Sequence, residues 1–231
     1  MARSALQRGH SPVKPNNLSE SLTVRAYREL EEMIVTLHLE PNAVLSETAL
    51  SEQLGIGRTP IREALQRLAR EGLVMILPRK GILVSEINPR KQLLLLEVRR
   101  EVERLLARNG ATRRSDQERQ EFMQIADGME KAALENDDIS FMRFDGALNS
   151  LVAVAARNEY ANRAIGLMHG LSRRFWYVHY KQAADMPLCA RLHAELARRI
   201  ADGDPEGAGE ASDRLIDYVE TFTRATVETG R

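Results

Sequence analysis

The chain has 231 residues, 43% of them apolar, which is enough for one large or two ordinary globular domains with filled cores. Its 33 basic and 33 acidic residues balance, which argues against wholesale electrostatic binding to nucleic acid but leaves room for a local basic patch. One cysteine, Cys189, excludes an internal disulfide and a cysteine zinc cluster, and no apolar run resembles a signal peptide or a membrane span, so we expect a cytoplasmic protein without a membrane partner.

The chain begins with a polar arm followed by two helical segments. Residues 1–18 carry two prolines and no apolar period, which predicts a disordered arm. Apolar residues then recur at helical spacing over 21–38, which predicts a helix that ends before Pro41. Ser46 is a suitable N-cap, so we expect a second, short helix over about 47–54.

A third helix and a hairpin follow. The stretch GIGRTP ends the second helix and starts a third, whose apolar stripe runs from Ile61 to Leu68. Two short helices joined by a tight glycine turn have the outline of a helix-turn-helix. After Gly72, apolar and β-branched residues flank PRKG, which is the pattern of a two-stranded hairpin. Three helices and a hairpin predict a winged helix-turn-helix domain over 19–88.

Beyond Pro89 the pattern changes to long helical periods with few prolines, which predicts an all-helical domain over 89–231. The expected fold class is therefore mainly α: an N-terminal winged helix-turn-helix with a small β-hairpin wing and a C-terminal all-α helical bundle. Six helices fit the second part, at roughly 91–109, 115–135, 138–156, 158–181, 187–202 and 205–228.

Basic side chains concentrate where the second and third helices meet. Arg58, Thr59 and Arg62 lie in the first turn of the third helix. That end of a recognition helix reaches base edges in the major groove, and an arginine fork matches the O6 and N7 atoms of guanine. Arg67 and Arg70 lie further along the helix, where we expect contacts with phosphate.

The hairpin tip is basic as well, because Arg79 and Lys80 precede Gly81. A glycine there would let the backbone approach a sugar-phosphate or a minor groove. The alternative is a solvated helix face in which Glu63 and Glu71 are incidental partners of the arginines. That alternative does not explain the basic hairpin tip, so the pattern favours DNA binding.

The segment LSETALSEQLGIGRTPIREALQRLAREGLVMILPRKGILV resembles the DNA-binding domain of the GntR family of bacterial transcription regulators. The family run S-R-T-P-[VI]-R-E-A-L corresponds to GRTPIREAL, with Gly57 where serine is common, and the resemblance covers residues 22–85. It implies that double-stranded DNA is contacted at bases by Arg58 and Arg62, on the adjacent strand by Thr59 and Pro60, and in the minor groove by Lys80 and Gly81.

The helical remainder, about 90–228, resembles the all-α, FCD-type effector domain of the FadR-like subfamily. The matching pieces are LLEVRREVE, FDGALNSLVAVAARNEY and HAELARRIADGD, in the family's order. The resemblance implies an effector-binding and dimerisation domain. In many members an aspartate and three histidines bind a divalent metal at the floor of a pocket for a small organic acid.

The residues themselves single out the same positions. Asp145 and Asn149, one turn apart, interrupt an apolar stripe, and Arg99 and His193 interrupt two others. Polar groups inside a bundle need partners, and facing side chains in a bundle are where ligand sites are built. Each residue alone is explained by a core contact, but four together favour an effector site in which Arg99 meets an anion, either Glu103 or a ligand carboxylate.

The metal site implied by the resemblance is incomplete. Asn149 and Leu215 stand where the family has histidines, so Asp145 and His193 are the strong ligands that remain. Zinc sites use three or four protein ligands, and an amide oxygen is a poor donor to a borderline ion. We expect no obligatory cofactor. A divalent metal at Asp145, Asn149 and His193, with His169 or His179 as a substitute ligand, is the alternative.

The stretch RRFWYVHYK places Arg173 and Tyr177 one turn apart, either on the pocket wall or within an aromatic packing seam. Cys189 and His193 have the spacing of a nucleophile and its base, but neither an oxyanion-hole turn nor a third orienting group is evident, so we do not expect an enzyme.

The expected function is a homodimeric transcription regulator, a repressor that binds a pseudo-palindromic operator and responds to a small anionic metabolite. Two alternatives are a DNA-binding regulator whose helical domain serves only for dimerisation, and an enzyme tethered to DNA.

Overall fold

The computed structural model describes residues 20–77 and 81–229. The predicted disordered arm, 1–18, and the hairpin-tip residues Arg79 and Lys80 lie outside these ranges. The described chain is mainly helical and contains a small antiparallel sheet of three strands, which confirms the predicted fold class.

The N-terminal part is a winged helix-turn-helix. Its sheet has the order β1-β3-β2, so the hairpin β2-β3 is joined at its outer edge by a short strand that the sequence did not predict. The elements are α1 (Leu22–Val35), β1 (Val44–Leu45), α2 (Glu47–Leu54), α3 (Arg58–Arg70), β2 (Val74–Leu77) and β3 (Gly81–Val84).

Side-chain caps set the helix starts in this domain. The Ser21 hydroxyl accepts a hydrogen bond from the Val24 amide, and the predicted N-cap Ser46 accepts one from the Ala49 amide. Gly55, at φ +62, ends α2 in the left-handed conformation that glycine adopts without strain. These local signals position α3 after a gap of three residues, 55–57.

The six predicted helices of the C-terminal part are all present. The predicted limits of α6 coincide with those observed. Helix α4 is longer than predicted at both ends, and it starts earlier because Asn88 caps it and Pro89 occupies its first turn. The helices are α4 (Pro89–Arg113), α5 (Asp116–Glu135), α6 (Asp138–Ala156), α7 (Glu159–Ala183), α8 (Met186–Asp202) and α9 (Pro205–Thr229).

Helix α7 belongs to both parts of the molecule. It packs against α4 in the bundle, and Leu171 packs against the buried core of the winged helix-turn-helix. The approach is close at Gly170, where an added Cβ would lie 2.7 Å from Cδ1 of Leu73. Residue 170 must therefore stay small for the two parts to pack in this way.

A buried arginine fixes the connection between the two parts. Arg174 of α7 is 2% exposed and donates hydrogen bonds to the carbonyl and hydroxyl oxygens of Ser85 and to the carbonyl of Glu86. Burial lowers the pKa of Arg174 to about 10, so the guanidinium remains charged at neutral pH. The segment that leads from β3 to α4 is thereby attached to α7.

Among the described helices, α6 is long and apolar enough to match a membrane span by length and composition alone, which is weak evidence in a single helix.

Candidate functional site

The first turn of α3 presents a basic, exposed surface. Gly57 precedes the helix without a side-chain cap, and Arg58, Thr59 and Arg62 are exposed, with Pro60 half-buried beside them. The opposite face of α3 is buried in the core. The structure therefore brings these four predicted DNA-contacting residues together on one turn.

The two arginines of this turn differ in their surroundings. Arg62 is held by Glu47 of α2 through three hydrogen bonds, of which the shortest, from Nη2 to Oε2, is 2.8 Å. The hydrogen bond from Arg62 lowers the pKa of the Glu47 carboxyl. Arg58 makes no hydrogen bond or ion pair with any described residue. Within the described residues, its donor groups are therefore unoccupied.

Arg67 lies away from this turn, although it is on the same helix. Its Nε atom is 2.9 Å from Oε1 of Glu71, and its guanidinium carbon lies 3.5 Å from the centre of the Tyr27 ring. Glu71 is thus a partner of one arginine, as the alternative interpretation held, whereas Glu63 accepts a hydrogen bond from Thr23. The wing residue Gly81 is exposed at φ +98, which favours glycine, and Arg79 and Lys80 are outside the described residues.

A cavity of about 640 Å³ lies inside the helical bundle and extends to α1 and α3. Five of the six predicted effector residues line it: Arg99, Asp145, Asn149, Arg173 and His193. Tyr177 does not, and this prediction was wrong. The Tyr177 side chain is 39% exposed, because Phe175 and Trp176 occupy the inward face of α7 and the next residue turns outward.

The floor of the cavity is a buried ion pair. Oδ1 of Asp145 accepts hydrogen bonds from Nε2 of His193 and from the Asn149 amide, each at 3.1 Å. Nδ1 of His193 is 2.8 Å from the carbonyl oxygen of Cys189. Both ring nitrogens face acceptors and must donate, which requires the charged imidazolium form.

The charges on the floor agree with this geometry. Burial alone would lower the pKa of His193, but its contacts with Cys189 and Asp145 hold that pKa well above the usual value. Burial alone would raise the pKa of Asp145, and the hydrogen bond and charge of His193 lower it on balance. Burial also raises the pKa of the Cys189 thiol, so this sulfur has none of the thiolate character that a nucleophile needs.

The metal site implied by the family resemblance does not fit these residues. His193 has no free lone pair, Asn149 donates an amide hydrogen to the Asp145 carboxylate, and Leu215 lines the cavity where a further ligand would be required. No group of three or more histidine, cysteine, aspartate or glutamate side chains suitable for a metal occurs in the part of the chain that the structure describes. His179 packs against Phe175 outside the cavity.

Arg99 lies on the wall beside this floor. Its Nε atom is 2.6 Å from Oε1 of Glu103, and the two side chains are only 14% and 17% exposed. The terminal nitrogens of Arg99 make no hydrogen bond within residues 20–77 and 81–229. The sequence left open whether Arg99 would meet Glu103 or a ligand carboxylate; Glu103 takes one edge of the guanidinium and leaves the other to the cavity.

His169 is a cavity residue that sequence reasoning considered only as a substitute metal ligand. It makes no hydrogen bond with a described side chain or backbone group, and burial, with the charge of Arg99, lowers its pKa. It lies one turn before Arg173 on α7, so the 3.6-residue period would have placed it on the same wall. A neutral imidazole can donate to or accept from a ligand.

Comparison with known proteins places both parts of the chain. The profile of the bacterial regulatory proteins of the gntR family matches residues 22–84, and that of the FCD domain matches residues 94–218. The HTH-type transcriptional repressor RspR of Escherichia coli K12 is 25% identical over 209 residues, covering 90% of this chain and 91% of that protein.

Other known proteins resemble a short segment of this chain or share its fold. An uncharacterised HTH-type regulator of Streptomyces ambofaciens is 48% identical over 63 residues, and one of Agrobacterium vitis is 41% identical over 64; these matches span only 27% and 37% of the two proteins. The solved structure of E. coli McbR/YncC shares the fold with a TM-score of 0.74 at 19% identity, covering 90% of this chain and 99% of that one. A putative GntR regulator from Rhodococcus sp. RHA1 gives a TM-score of 0.61 at 22% identity, covering 88% and 97%. The chain therefore belongs to the GntR family of bacterial regulatory proteins, in the group that carries an FCD domain, and this is a family of DNA-binding transcriptional regulators and not of enzymes.

Proposed function

We propose that the protein is a cytoplasmic homodimeric repressor whose affinity for its operator falls when a small organic acid binds in the cavity. One observation carries the effector part of the proposal: the terminal nitrogens of Arg99 face a 640 Å³ cavity without a partner among the described residues. An arginine with a free edge in a partly apolar pocket is suited to a carboxylate.

The DNA-binding part rests on the first turn of α3. Arg58 has no partner among the described residues and Arg62 is held by Glu47, so the turn offers one unpaired and one paired guanidinium to base edges. A single helix-turn-helix reads too few bases for genomic specificity, so the operator is expected to be a pseudo-palindrome read by two copies.

An exposed apolar strip supports the homodimer. Gln92 of α4 donates a hydrogen bond to Ser172 of α7, and Leu106 packs near Ala161, so the two helices run antiparallel. Their outer faces carry large apolar residues that no described residue covers, of which Val98 is 54% exposed. An apolar strip of this kind marks an association surface, and a second copy of the chain can cover it symmetrically. The strip consists of Leu94, Val98 and Leu105 on α4 and Tyr160 and Leu167 on α7.

We further propose that the effector binds without an obligatory metal. The imidazolium of His193 supplies positive charge at the floor, and the Asn149 amide supplies a polar group at the position where the family has a metal-binding histidine. Elemental analysis of the purified protein tests this directly. Stoichiometric zinc, nickel or manganese that survives dialysis against a chelator would show that the proposal is wrong.

The test of the whole function has two linked measurements. A thermal-shift screen of carboxylic and sugar acids should find a stabilising acid, and that acid should weaken binding to an operator obtained by in vitro selection. A coupling of about 1–3 kcal/mol corresponds to a several-fold to hundredfold loss of operator affinity. Arg99→Ala should abolish both effects, whereas Arg163→Ala, an exposed arginine of the same bundle, should keep them.

A second candidate function has a specific observation in its favour. Asp145, His193 and Asn149 satisfy one another, and Arg99 already has Glu103, so the bundle is electrostatically balanced without a ligand. The helical domain would then serve only for dimerisation. A screen in which no acid shifts the melting temperature, together with an unaffected operator complex of Arg99→Ala, would favour this alternative.

A further inference from the structure

The side chains at the floor of the cavity are more deeply buried than those at its other end, which we call the mouth. At the floor, the side chains of His193 and Asp145 are 11% and 20% exposed. The two arginines at the other end are far more open, with Arg67 at 48% and Arg173 at 45%. Arg67 and Arg173 therefore stand at an end of the cavity that is open to solvent.

The mouth is built partly by the DNA-binding domain. Tyr27 and Glu31 of α1 and Arg67 of α3 line the same cavity as Arg99 and Arg173. Nη1 of Arg173 is 3.0 Å from Oε1 of Glu31, which connects the helical bundle to α1. The cavity is thus shared between the two domains and is not confined to the effector domain.

Each arginine at the mouth is fixed at one edge and free at the other. Glu71 accepts hydrogen bonds from Nε of Arg67 and, at 2.8 Å, from the Tyr27 hydroxyl, which occupies both of its carboxylate oxygens. Glu31 likewise holds one nitrogen of Arg173. The remaining guanidinium nitrogens of Arg67 and Arg173 have no hydrogen-bond acceptor among the described residues. Each arginine at the mouth is thus paired with one glutamate on one side, as Arg99 is paired with Glu103 further inside the cavity.

His169 is a further polar side chain that lines the cavity. This side chain is close enough to Arg99, Glu103 and Asp145 on one side and to Arg173 on the other to interact with their charges. It makes no hydrogen bond of its own within the described chain. Polar side chains therefore line the cavity at its floor, on its wall and at its mouth, and a ligand with more than one polar group can be held there.

We propose that Arg67 and Arg173 form a second anion-binding subsite at the mouth of the cavity, and that the effector is an elongated acid with two carboxylates, one at Arg99 and one at the mouth. This inference rests on the proposed function, because it extends the same cavity. A guanidinium edge with free nitrogens matches a carboxylate through parallel hydrogen bonds. A volume of about 640 Å³ leaves room for such a molecule.

The subsite explains how a ligand can act on DNA binding. Arg67 is on α3, the helix that carries Arg58 and Arg62, so the second carboxylate would touch the recognition helix itself. Ligand affinity then depends on how α3 lies against the bundle. By linkage, the ligand must change the affinity for DNA by the same factor that DNA changes the affinity for the ligand.

Isothermal titration calorimetry of the full chain tests the subsite. The probes are linear dicarboxylates from succinate to suberate and monocarboxylates of the same carbon number, at matched ionic strength. We expect at least one dicarboxylate to bind about tenfold more tightly than its matched monocarboxylate, since a charge-assisted contact is worth that much. Arg67→Gln and Arg173→Gln should each bring that dicarboxylate down to about the affinity of the monocarboxylate.

Two further variants separate the possible failures. Arg99→Gln should lose both classes of acid, and Arg163→Gln, which pairs with Glu159 outside the cavity, should bind like the wild type. Circular dichroism and the melting temperature of each unliganded variant verify the fold. If acids bind through Arg99 but no dicarboxylate binds more tightly than its matched monocarboxylate, the mouth subsite is wrong and the proposed function stands. The same holds if a dicarboxylate binds more tightly but keeps that advantage in the Arg67 and Arg173 variants. If no acid binds the wild type, or Arg99→Gln binds normally, the proposed function fails and the subsite with it.

Discussion

The arginines of α3 show how much a single residue's role depends on its immediate partners. Arg58, Arg62 and Arg67 are all on one helix within ten residues of one another. Arg58 has no hydrogen-bond partner in the described chain, Arg62 is held by Glu47, and Arg67 stacks on Tyr27 at the domain junction. The same type of side chain therefore has three different surroundings on α3: Arg58 is exposed without a partner in the described chain, Arg62 is paired, and Arg67 lies against the cavity.

We predict that Arg58→Ala weakens operator binding by roughly 1–3 kcal/mol and relaxes sequence preference, because it removes a guanidinium that reads a base edge. Arg70→Ala, which removes an exposed charge at the other end of α3, should weaken specific and non-specific binding alike and flatten the salt dependence. Fluorescence anisotropy with operator and scrambled duplexes at two salt concentrations measures both. Full discrimination by Arg58→Ala would show that α3 is not the base-reading element.

At the scale of elements, α7 is the helix that both domains require. Its inward residues line the cavity, whereas Gly170, Leu171 and Arg174 contact the winged helix-turn-helix and the segment that follows it. A glycine with φ in the helical region has no conformational need to be glycine. The close contact with Leu73 is the reason for it at position 170.

We predict opposite effects for two alanine substitutions in α7. Gly170→Ala should lower the free energy of unfolding by about 1–3 kcal/mol, because its Cβ would lie 2.7 Å from Cδ1 of Leu73 and force the domains apart. Gly166→Ala meets nothing within 4 Å and should raise it by about 0.5–1 kcal/mol through helix propensity. Urea denaturation of both variants gives the comparison. A neutral Gly170→Ala would mean that α7 is not packed against the DNA-binding domain.

A second element-scale contact joins the start of α5 to the end of α6. Oε2 of Glu118 accepts hydrogen bonds from the Ser115 amide at 2.7 Å, completing a capping box, and from Arg157 at 2.8 Å. The hydrogen bond from Arg157 lowers the pKa of Glu118 below its ordinary value of 4.5. The stability from this group is therefore fully present above pH 4.5 and is lost as the pH falls through the lowered pKa.

We predict that Glu118→Gln lowers the free energy of unfolding at pH 7 by about 1–3 kcal/mol, because it removes the charged acceptor of three hydrogen bonds, from the amide and hydroxyl of Ser115 and from Arg157. The difference between wild type and variant should shrink in acidic buffer, since the wild-type carboxyl then becomes protonated. Denaturation curves recorded at neutral and at progressively lower pH test this. A difference that stays constant with pH would contradict an ionised Glu118 in the folded chain.

At the scale of the whole molecule, the proposed assembly depends on the apolar strip of α4 and α7. The strip lies on the outside of the same two helices that form the cavity wall, so dimer contacts and ligand contacts share elements. Such sharing gives a ligand a physical route to alter how two recognition helices are presented.

We predict that Val98→Glu makes the protein monomeric at micromolar concentration, because a charge at the centre of an apolar contact must be desolvated. Operator affinity should fall on the order of 10²-fold, since simultaneous binding of two half-sites is lost. Leu134→Glu, at a site 88% exposed on another face, is the matched control and should change neither property. Analytical ultracentrifugation and anisotropy measure the two. A dimeric Val98→Glu would place the interface elsewhere.

Much of the fold followed from the sequence because its signals are local. The N-cap Ser46, the positive-φ glycine at 55 and the apolar period of α6 each act within one or two turns of chain, so the helices and the hairpin were predicted close to their observed limits. The inward residues Arg99, Asp145 and His193 were also predicted, because a polar residue on an apolar stripe has only one direction in which to point.

Tertiary structure alone decided which of these faces meet. Strand β1 exists only because Val44 pairs with Leu83, almost forty residues later in the chain. The helical period of α7 groups Tyr177 with His169 and Arg173, so periodicity could not show that Tyr177 points outward while the other two line the cavity. Nor could it show that Arg67 turns to the domain junction. A helical period determines in which direction each side chain points relative to its neighbours in the same helix. Which other element each side chain meets depends on how the elements pack, and that packing places Arg67 of the recognition helix in the wall of the cavity.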